Sequence, residues 1–125
     1  MKTLDTTIAI DHLRGRSEAT DLIADILAAD GSILASEIVR FEILAGMHES
    51  EEPDVADFAA AVTWVPVDEQ VATVAGELAR DYRGRYSDID DADYLIAATA
   101  LALDAEILTT NVRHFPMLRG ITSPY

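Results

Sequence analysis

Short apolar runs alternate with longer amphipathic segments along the sequence, and this alternation limits the fold more than any other feature. The runs have the length of strands and cover residues 2–6, 33–35, 64–67 and 106–109, with a last short one near Ile121. The segments between them carry apolar residues three and four positions apart, which is typical of helices packed on a core. Because strands joined by helices pair in parallel, we expect an α/β fold with a central, mainly parallel sheet.

Local signals mark the ends of the predicted helices. Helices are expected over residues 8–14, 17–30, 37–46, 53–62, 69–83 and 90–103. Ser36 and Asp68 are predicted to cap two of them, and Gly31 to end another. Pro66 lacks an amide hydrogen, which predicts that its strand lies at an edge of the sheet. Since the sequence has no repeat and no linker, residues 1–125 are predicted to form one domain.

The composition is strongly acidic. Nine basic residues oppose 23 acidic ones, the formal net charge is −14, and Lys2 is the only lysine. Such a surface repels nucleic acid, so binding to a polyanion would need a local basic patch, a bridging cation or a partner. The absence of cysteine excludes disulfides, thiolate nucleophiles and iron–sulfur clusters. No apolar run approaches the roughly 18 residues of a membrane span, and we expect a cytoplasmic protein without membrane association.

Three carboxylates have mostly apolar neighbours. Asp5 follows the first strand, and Glu42 and Asp93 each share a helical face with small or apolar residues. Burying an unpaired carboxylate costs several kcal/mol, and the chain has almost no lysine to pair with it. Mg²⁺ or Mn²⁺ is a natural partner, because both ions prefer oxygen ligands. Asp5 and residues 109–111 end two predicted strands, so they should face the same crevice.

Simpler explanations stay open for several polar residues. Asp5 can act as the N-cap of the helix that begins near Ile8. Acidic residues at the start of the last helix suit the helix dipole, and at least two of them are expected to be caps: Asp88, Asp90, Asp91 and Asp93. The histidines show no spacing typical of metal ligands; they are His12, His48 and His114. No catalytic triad is recognisable from spacing.

Basic and aromatic residues concentrate at the end of the fifth predicted helix. They are Arg80, Tyr82, Arg83, Arg85 and Tyr86, and Arg113, His114 and Arg119 could extend the group. Compensation of the helix dipole is one interpretation. The functional interpretation is a rim that contacts phosphates beside the acidic crevice.

Four segments, taken in order and spacing, match a family pattern. They are Leu4–Thr7, Phe41–Gly46, Asp91–Ala100 and Leu108–Phe115. Together they resemble the PIN-domain ribonucleases, specifically the VapC-type toxins of prokaryotic toxin–antitoxin pairs. The resemblance covers nearly the whole chain. It implies a PIN-like three-layer α/β/α sandwich, a site where acidic residues bind Mg²⁺ or Mn²⁺, and endonuclease action on RNA.

The resemblance also implies roles for individual residues. Asp5, Glu42 and Asp93 correspond to metal-binding acids, and the fourth acidic position of the family falls on Asn111. An amide carries no charge, so a second metal ion would be bound less tightly there. Thr7 stands where the family more often has asparagine. The basic residues proposed to line the RNA are Arg80, Arg83, Arg85 and Arg113.

Partners are implied as well. The resemblance implies a homodimer bound by a small antitoxin whose tail places an arginine or lysine among the three acids. A net charge of −14 suits a basic tail. Apolar helical faces over residues 8–13, 22–27 and 38–47 exceed what one small sheet readily covers, which also predicts an interface.

Other functions remain open at this point. A PIN domain that binds a partner without catalysis is the main alternative, because the fourth acid is missing. A haloacid-dehalogenase-type phosphatase would need a second aspartate where the chain has Thr7. A receiver domain would need a lysine opposite its acids, and Lys2 is badly placed for that role.

Overall fold

The computed structural model describes all of residues 1–125. Four short strands and six α-helices succeed one another largely as the sequence predicts. The strands are β1 (Lys2–Leu4), β2 (Leu34–Ser36), β3 (Thr63–Val65) and β4 (Glu106–Leu108). The helices are α1 (Thr6–Leu13), α2 (Ser17–Asp30), α3 (Glu37–Gly46), α4 (Glu52–Ala61), α5 (Glu69–Tyr82) and α6 (Asp91–Leu103). Short 3₁₀ turns cover Glu49–Glu51 and Val112–His114.

All four strands pair in parallel, in the order β3-β2-β1-β4. The strand before Pro66 is therefore an edge strand, as predicted. The chain places β2 and then β3 on one side of β1, and it returns through α5 and α6 to place β4 on the other side. The direction of winding reverses between β1 and β4. In parallel sheets, the crevice beyond the carboxyl ends of such strands is the usual place for a ligand.

The helices enclose the sheet in an α/β/α sandwich. Its main core is a cluster of 19 buried apolar residues that includes Leu4, Ile8, Ile33 and Ile96. A second cluster lies between α5 and α6 and contains Val71, Ala75, Ile89, Tyr94 and Ala98. None of the helices combines the length and the apolar character that crossing a membrane requires.

The predicted helix ends are confirmed. Ser36 Oγ accepts a hydrogen bond from the Ile38 amide at 3.1 Å, and Asp68 Oδ1 accepts one from the Val71 amide at 2.9 Å. Gly31 ends α2 in the left-handed conformation, with φ of 75°. A residue with a Cβ atom would be strained there, which is why glycine suits this position.

The predicted strand near Ile121 is wrong. Beyond the turn at Val112–His114, the chain forms turns and irregular structure as far as Tyr125. Gly120 has φ of 70° and Pro124 has no amide hydrogen, so little backbone between them is available for a strand ladder. Ile121 packs against the main core from this irregular segment.

Candidate active site

Asp5 lies at the point where the winding of the sheet reverses. It is the one residue between β1 and α1, and its amide donates to the Leu108 carbonyl of β4 at 2.9 Å. Its side chain is buried, and the residue is 3% exposed. Asp5 occupies the N-cap position of α1, but its carboxylate makes no capping hydrogen bond. The backbone amides of Thr6 and Thr7 still favour the charged carboxylate, but they act less strongly on its pKa than the Thr109 and Thr7 hydroxyls, so capping alone does not account for this buried acid.

Two threonine hydroxyls hold the Asp5 carboxylate. Thr109 Oγ1 donates to Asp5 Oδ2 at 2.7 Å, and Thr7 Oγ1 donates to the same oxygen at 3.1 Å. Thr109 follows β4, so the prediction that Asp5 and the residues after this strand lie together at one edge of the sheet is confirmed. Burial raises the pKa of Asp5, and the hydrogen bonds from Thr109 and Thr7 act against that rise.

Glu42 reaches the same region from α3. Thr6, the neighbour of Asp5, donates its hydroxyl to Glu42 Oε1 at 2.6 Å. Burial raises the pKa of Glu42, and the negative charges of Asp90 and Asp5 raise it further, while the Thr6 hydrogen bond lowers it. Neither Asp5 nor Glu42 forms an ion pair with a basic side chain. These two acids are therefore close enough to repel each other and lack a cationic partner.

Asp93 is positioned by the first turn of α6. Its Oδ2 accepts from the Asp90 amide at 3.2 Å, and Asp90 Oδ1 accepts from the Asp93 amide at 3.0 Å, which forms a capping box. The expectation that at least two acids in this segment are caps is confirmed by this pair. His114 Nδ1 lies 2.9 Å from the same Asp93 Oδ2. Burial raises the pKa of Asp93 to about 6, and the Asp90 charge adds to the rise while His114 opposes it.

The three acids share one hydrogen-bonding pattern. Asp5, Glu42 and Asp93 each have one carboxylate oxygen held by hydrogen bonds and one that makes none. None of the three free oxygens is a buried atom without a partner. Each carboxylate is thus fixed through one oxygen and offers the other to a ligand.

Asn111 lies at the margin of this group. Its backbone amide donates to Thr109 Oγ1 at 2.9 Å, and the Thr109 hydroxyl in turn contacts Asp5. Its own side-chain amide makes no hydrogen bond, and the residue is partly exposed. The structure therefore brings the backbone of Asn111 to the site, where two successive hydrogen bonds through Thr109 link it to the Asp5 carboxylate.

The donor chemistry of the three acids fits a hard divalent cation. Carboxylate oxygens are the preferred ligands of Mg²⁺ and Mn²⁺, and a bound cation would favour the charged form of acids whose pKa values burial has raised. No three His, Asp or Glu side chains converge closely enough, as placed, to hold one ion. The three acids are thus suitable ligands for a divalent cation, but their side chains are not arranged as a complete coordination site.

The predicted basic rim is split into two parts. Arg83 pairs with Asp91 at the start of α6, and Arg80 and Arg85 form no ion pair. The Arg85 guanidinium lies 5.1 Å from the ring centre of Tyr82. On the other side, Arg113 Nη2 lies 3.7 Å from Asp88 Oδ2. Both parts flank the segment that leads into α6 and Asp93.

Sequence reasoning missed the roles of His114 and of the threonine hydroxyls. His114 is 20% exposed at its side chain and contacts Asp93 directly, although its spacing from the other histidines gave no indication of a site. The usable signal was position, since Thr109 and His114 both come soon after the strand that neighbours β1.

Comparison with known proteins places this architecture in a family. The PIN domain model matches residues 2–118. Ribonuclease VapC19 of Mycobacterium tuberculosis is 54% identical over 125 residues, which is 100% of both chains. Among solved structures, the toxin–antitoxin complex from Klebsiella pneumoniae has a TM-score of 0.78 at 23% identity, covering 100% of this chain and 98% of the other. VapBC2 from Rickettsia felis, bound to a promoter DNA fragment, has a TM-score of 0.81 at 22% identity, covering 94% and 92%.

These matches extend over nearly the whole length of the sequence, and the overall fold agrees with that of the solved structures. They exclude the phosphatase and receiver-domain alternatives, which belong to other families. The chain therefore belongs to the PIN-domain family and, within it, groups with the VapC ribonucleases.

Proposed function

We propose that this chain is a metal-dependent endoribonuclease that acts as the toxin of a toxin–antitoxin pair. The observation that carries the proposal is the pattern of the three acids, each fixed through one oxygen and free at the other. The site lies where parallel α/β sheets bind ligands. The ribonuclease name of a relative at 54% identity supports the same conclusion.

Asp5, Glu42 and Asp93 would hold Mg²⁺ or Mn²⁺. A bound ion supplies positive charge for the attacked phosphate and lowers the pKa of water. In hydrolysis the water oxygen joins phosphorus, the bond to the leaving ribose oxygen breaks, and that oxygen takes up a proton. Thr7 and Thr109 keep the Asp5 carboxylate in one orientation, so that it need not reorganise during the reaction.

His114 orients Asp93 in this proposal. With a pKa of about 6, Asp93 is mostly ionised at neutral pH and accepts the hydrogen bond from the Nδ1–H of His114. This contact leaves the other Asp93 oxygen free. A histidine that holds a ligating carboxylate in this way normally strengthens the site rather than reacting itself.

Asn111 would contribute less than an acid. Its amide can orient a water molecule but adds no charge. Asn111→Asp should therefore tighten Mn²⁺ binding, most visibly at low metal concentration, and calorimetric titration measures the change. An unchanged affinity would place residue 111 outside the metal site.

The second candidate function is a PIN domain that binds RNA or protein without cutting. Two observations favour it: Asn111 replaces the fourth acid, and the three carboxylates do not converge on one point. The partner proposed for either function is a small antitoxin with a basic tail, because Asp5 and Glu42 lack a cationic partner within the chain. Co-purification from the native operon tests the partner, and a toxin that comes out alone, active and harmless to its host would argue against it.

Assays on one protein preparation can distinguish an endoribonuclease from a PIN domain that binds without cutting. Single-stranded RNA should be cleaved with Mg²⁺ or Mn²⁺ and left intact with a chelator. Asp5→Asn and Glu42→Gln should abolish cleavage while the fold, measured by circular dichroism, persists. Asp25→Asn, an exposed acid on α2, is the matched control and should cleave normally. Chelator-resistant cleavage, or full activity in Asp5→Asn, would overturn the proposal.

A further inference from the structure

A concave surface feature lies between α5 and α6, and none of the three carboxylates lines it. It is a groove of about 610 Å³. Its α5 side consists of small residues between Ala72 and Ala79, and a Cβ atom built at Gly76 would meet no atom within 4 Å. Arg80 and Arg83 lie at one end of it, and Asp91, Tyr94 and Leu95 form the α6 side. The groove is therefore open, with its charge gathered at one end.

Tyr94 gives the groove an unused hydrogen-bonding group. The residue is 1% exposed, and its hydroxyl is the only buried side-chain polar atom in the structure without a hydrogen-bond partner. Burying a hydroxyl without a partner is unfavourable, so native proteins rarely retain one unless something binds it.

Two arginines of the main basic cluster in this acidic chain, Arg80 and Arg83, line the groove. Three of the nine basic residues, Arg80, Arg83 and Arg85, fall within six positions. The Arg83 guanidinium lies 5.7 Å from the centre of the Tyr94 ring and pairs with Asp91, and Arg80 has no acidic partner. Guanidinium groups beside a hydroxyl donor form a site that suits a phosphate.

The groove adjoins the acids through the first turn of α6. Asp93 and Tyr94 are consecutive, so their side chains leave the helix about 100° apart around its axis. One face of this turn thus belongs to the carboxylate group and the next face to the groove. Because Asp91, Asp93 and Tyr94 lie within the first turn of α6, the groove begins beside one of the three acids.

We infer that the groove between α5 and α6 binds a backbone phosphate of the RNA next to the one that is hydrolysed, with Arg80 and Arg83 supplying charge and the Tyr94 hydroxyl donating a hydrogen bond. This inference rests on the proposed function for the identity of the polyanion. It assigns substrate binding to residues that make no contact with the carboxylates.

Binding is measured separately from cleavage. In an Asp5→Asn background, a short fluorescein-labelled single-stranded RNA of mixed sequence is titrated at several salt concentrations, and fluorescence anisotropy is followed. Changing both Arg80 and Arg83 to Gln should weaken binding by roughly tenfold at low salt and reduce the slope of log K against log salt by about 0.7, the value expected for one phosphate contact on a single strand. Arg83→Lys should retain most of the slope, because it retains the charge.

Tyr94→Phe tests the hydroxyl. It should weaken RNA binding while leaving the melting temperature unchanged or higher, because it removes the unpartnered polar atom and keeps the ring. Lys2→Gln, which removes a positive charge at the opposite end of β1, is the control and should bind RNA as the parent does. In active protein, the arginine variants should raise KM and leave kcat nearly unchanged.

The outcomes distinguish this inference from the proposed function. Arginine variants that bind RNA with the parental affinity and salt slope would overturn the inference, even if the wild type cleaves RNA. A wild type that never cleaves RNA, but whose RNA binding depends on Arg80, Arg83 and Tyr94, would support the phosphate-binding role of the groove and contradict the proposed endoribonuclease activity. Tyr94→Phe that loses stability and binds normally would assign the hydroxyl to the fold.

Discussion

Asp5, Glu42 and Asp93 each devote one carboxylate oxygen to contacts within the protein and leave the other unbonded. Burial raises the pKa of all three acids, so without a cation each is less favourable in its charged form than it would be in water. This is the expected state of a site prepared for a positive ligand. A bound metal ion, or a basic side chain of a partner, would stabilise the charged carboxylates and offset the cost of burying them.

Asp93 predicts a pH dependence of stability. Its folded pKa of about 6 exceeds the ordinary value of 3.8, so the folded state binds the proton more tightly than the unfolded state. The stability contributed by that proton is complete below about pH 3.8 and is lost as the pH rises through about 6. Relative to Asp93→Asn, the metal-free wild type should lose unfolding free energy across this window, as urea unfolding in a chelator would show. A difference that stays constant with pH would contradict the assignment.

His114 predicts a graded effect on metal binding. In His114→Asn, the side-chain amide can replace Nδ1 as the donor to Asp93, whereas His114→Ala leaves the Asp90 backbone amide as the only donor to that carboxylate. The alanine variant should bind Mn²⁺ roughly tenfold more weakly, and the asparagine variant should recover most of the affinity. Electron paramagnetic resonance of free Mn²⁺ measures both. Equal affinity in His114→Ala and the wild type would show that the contact does not position Asp93.

At the scale of elements, the start of α6 serves both the fold and the site. The capping box joins Asp90 and Asp93 through two backbone amides, so the helix end fixes the direction of a candidate metal ligand. The other acids of the segment pair with arginines: Asp91 with Arg83 and Asp88 with Arg113. The acidic residues that suit the helix dipole thus also fix the segment that carries Asp93.

Removing this cap gives a prediction for the element. Asp90→Ala should lower the free energy of unfolding by about 1 kcal/mol, because the Asp93 amide loses its acceptor. Asp90→Asn keeps an acceptor oxygen and should stay within a few tenths of a kcal/mol of the wild type. Urea unfolding at neutral pH measures both variants. Equal losses in the two would mean that the charge, and not the hydrogen bond, stabilises α6.

At the scale of the whole molecule, only one of the three apolar helical faces marked by the sequence leaves large side chains strongly exposed. Residues such as Ile8 in α1 and Ile23 in α2 are buried within the chain itself. On α3, Phe41 is 65% exposed and Leu44 is 47% exposed. These residues are three positions apart and therefore share a helix face. We expect this face to form the interface of the proposed homodimer.

Light scattering tests that expectation. The isolated protein should have the mass of a dimer at micromolar concentration, and changing Phe41 and Leu44 together to Ser should shift it to a monomer, because the apolar contact is lost. Leu101→Ser is the matched control, since Leu101 is also 47% exposed but lies on α6. A wild-type monomer at every salt concentration, or a dimer that survives the α3 changes, would contradict the interface.

The sequence by itself determined the alternation of elements, the parallel sheet, the edge strand and the caps at Ser36 and Asp68. These features depend on periodicity and on residue types within a few positions of one another, which are local properties of the chain. The same local patterns singled out Asp5, Glu42 and Asp93 as acids among apolar neighbours. The strand expected near Ile121 was wrong because the positive φ of Gly120 and the missing amide hydrogen of Pro124 disfavour a strand there, and one apolar residue does not compensate for them.

Only the tertiary structure decided how these acids are held. Thr109 and Asp5 are 104 residues apart, and His114 and Asp93 are 21 apart, so no local spacing relates them. Their contacts exist because the crossover through α5 and α6 places β4 beside β1. Strand order depends on which faces pack together across the whole core, and that is a property of the folded chain that periodicity along the sequence does not contain.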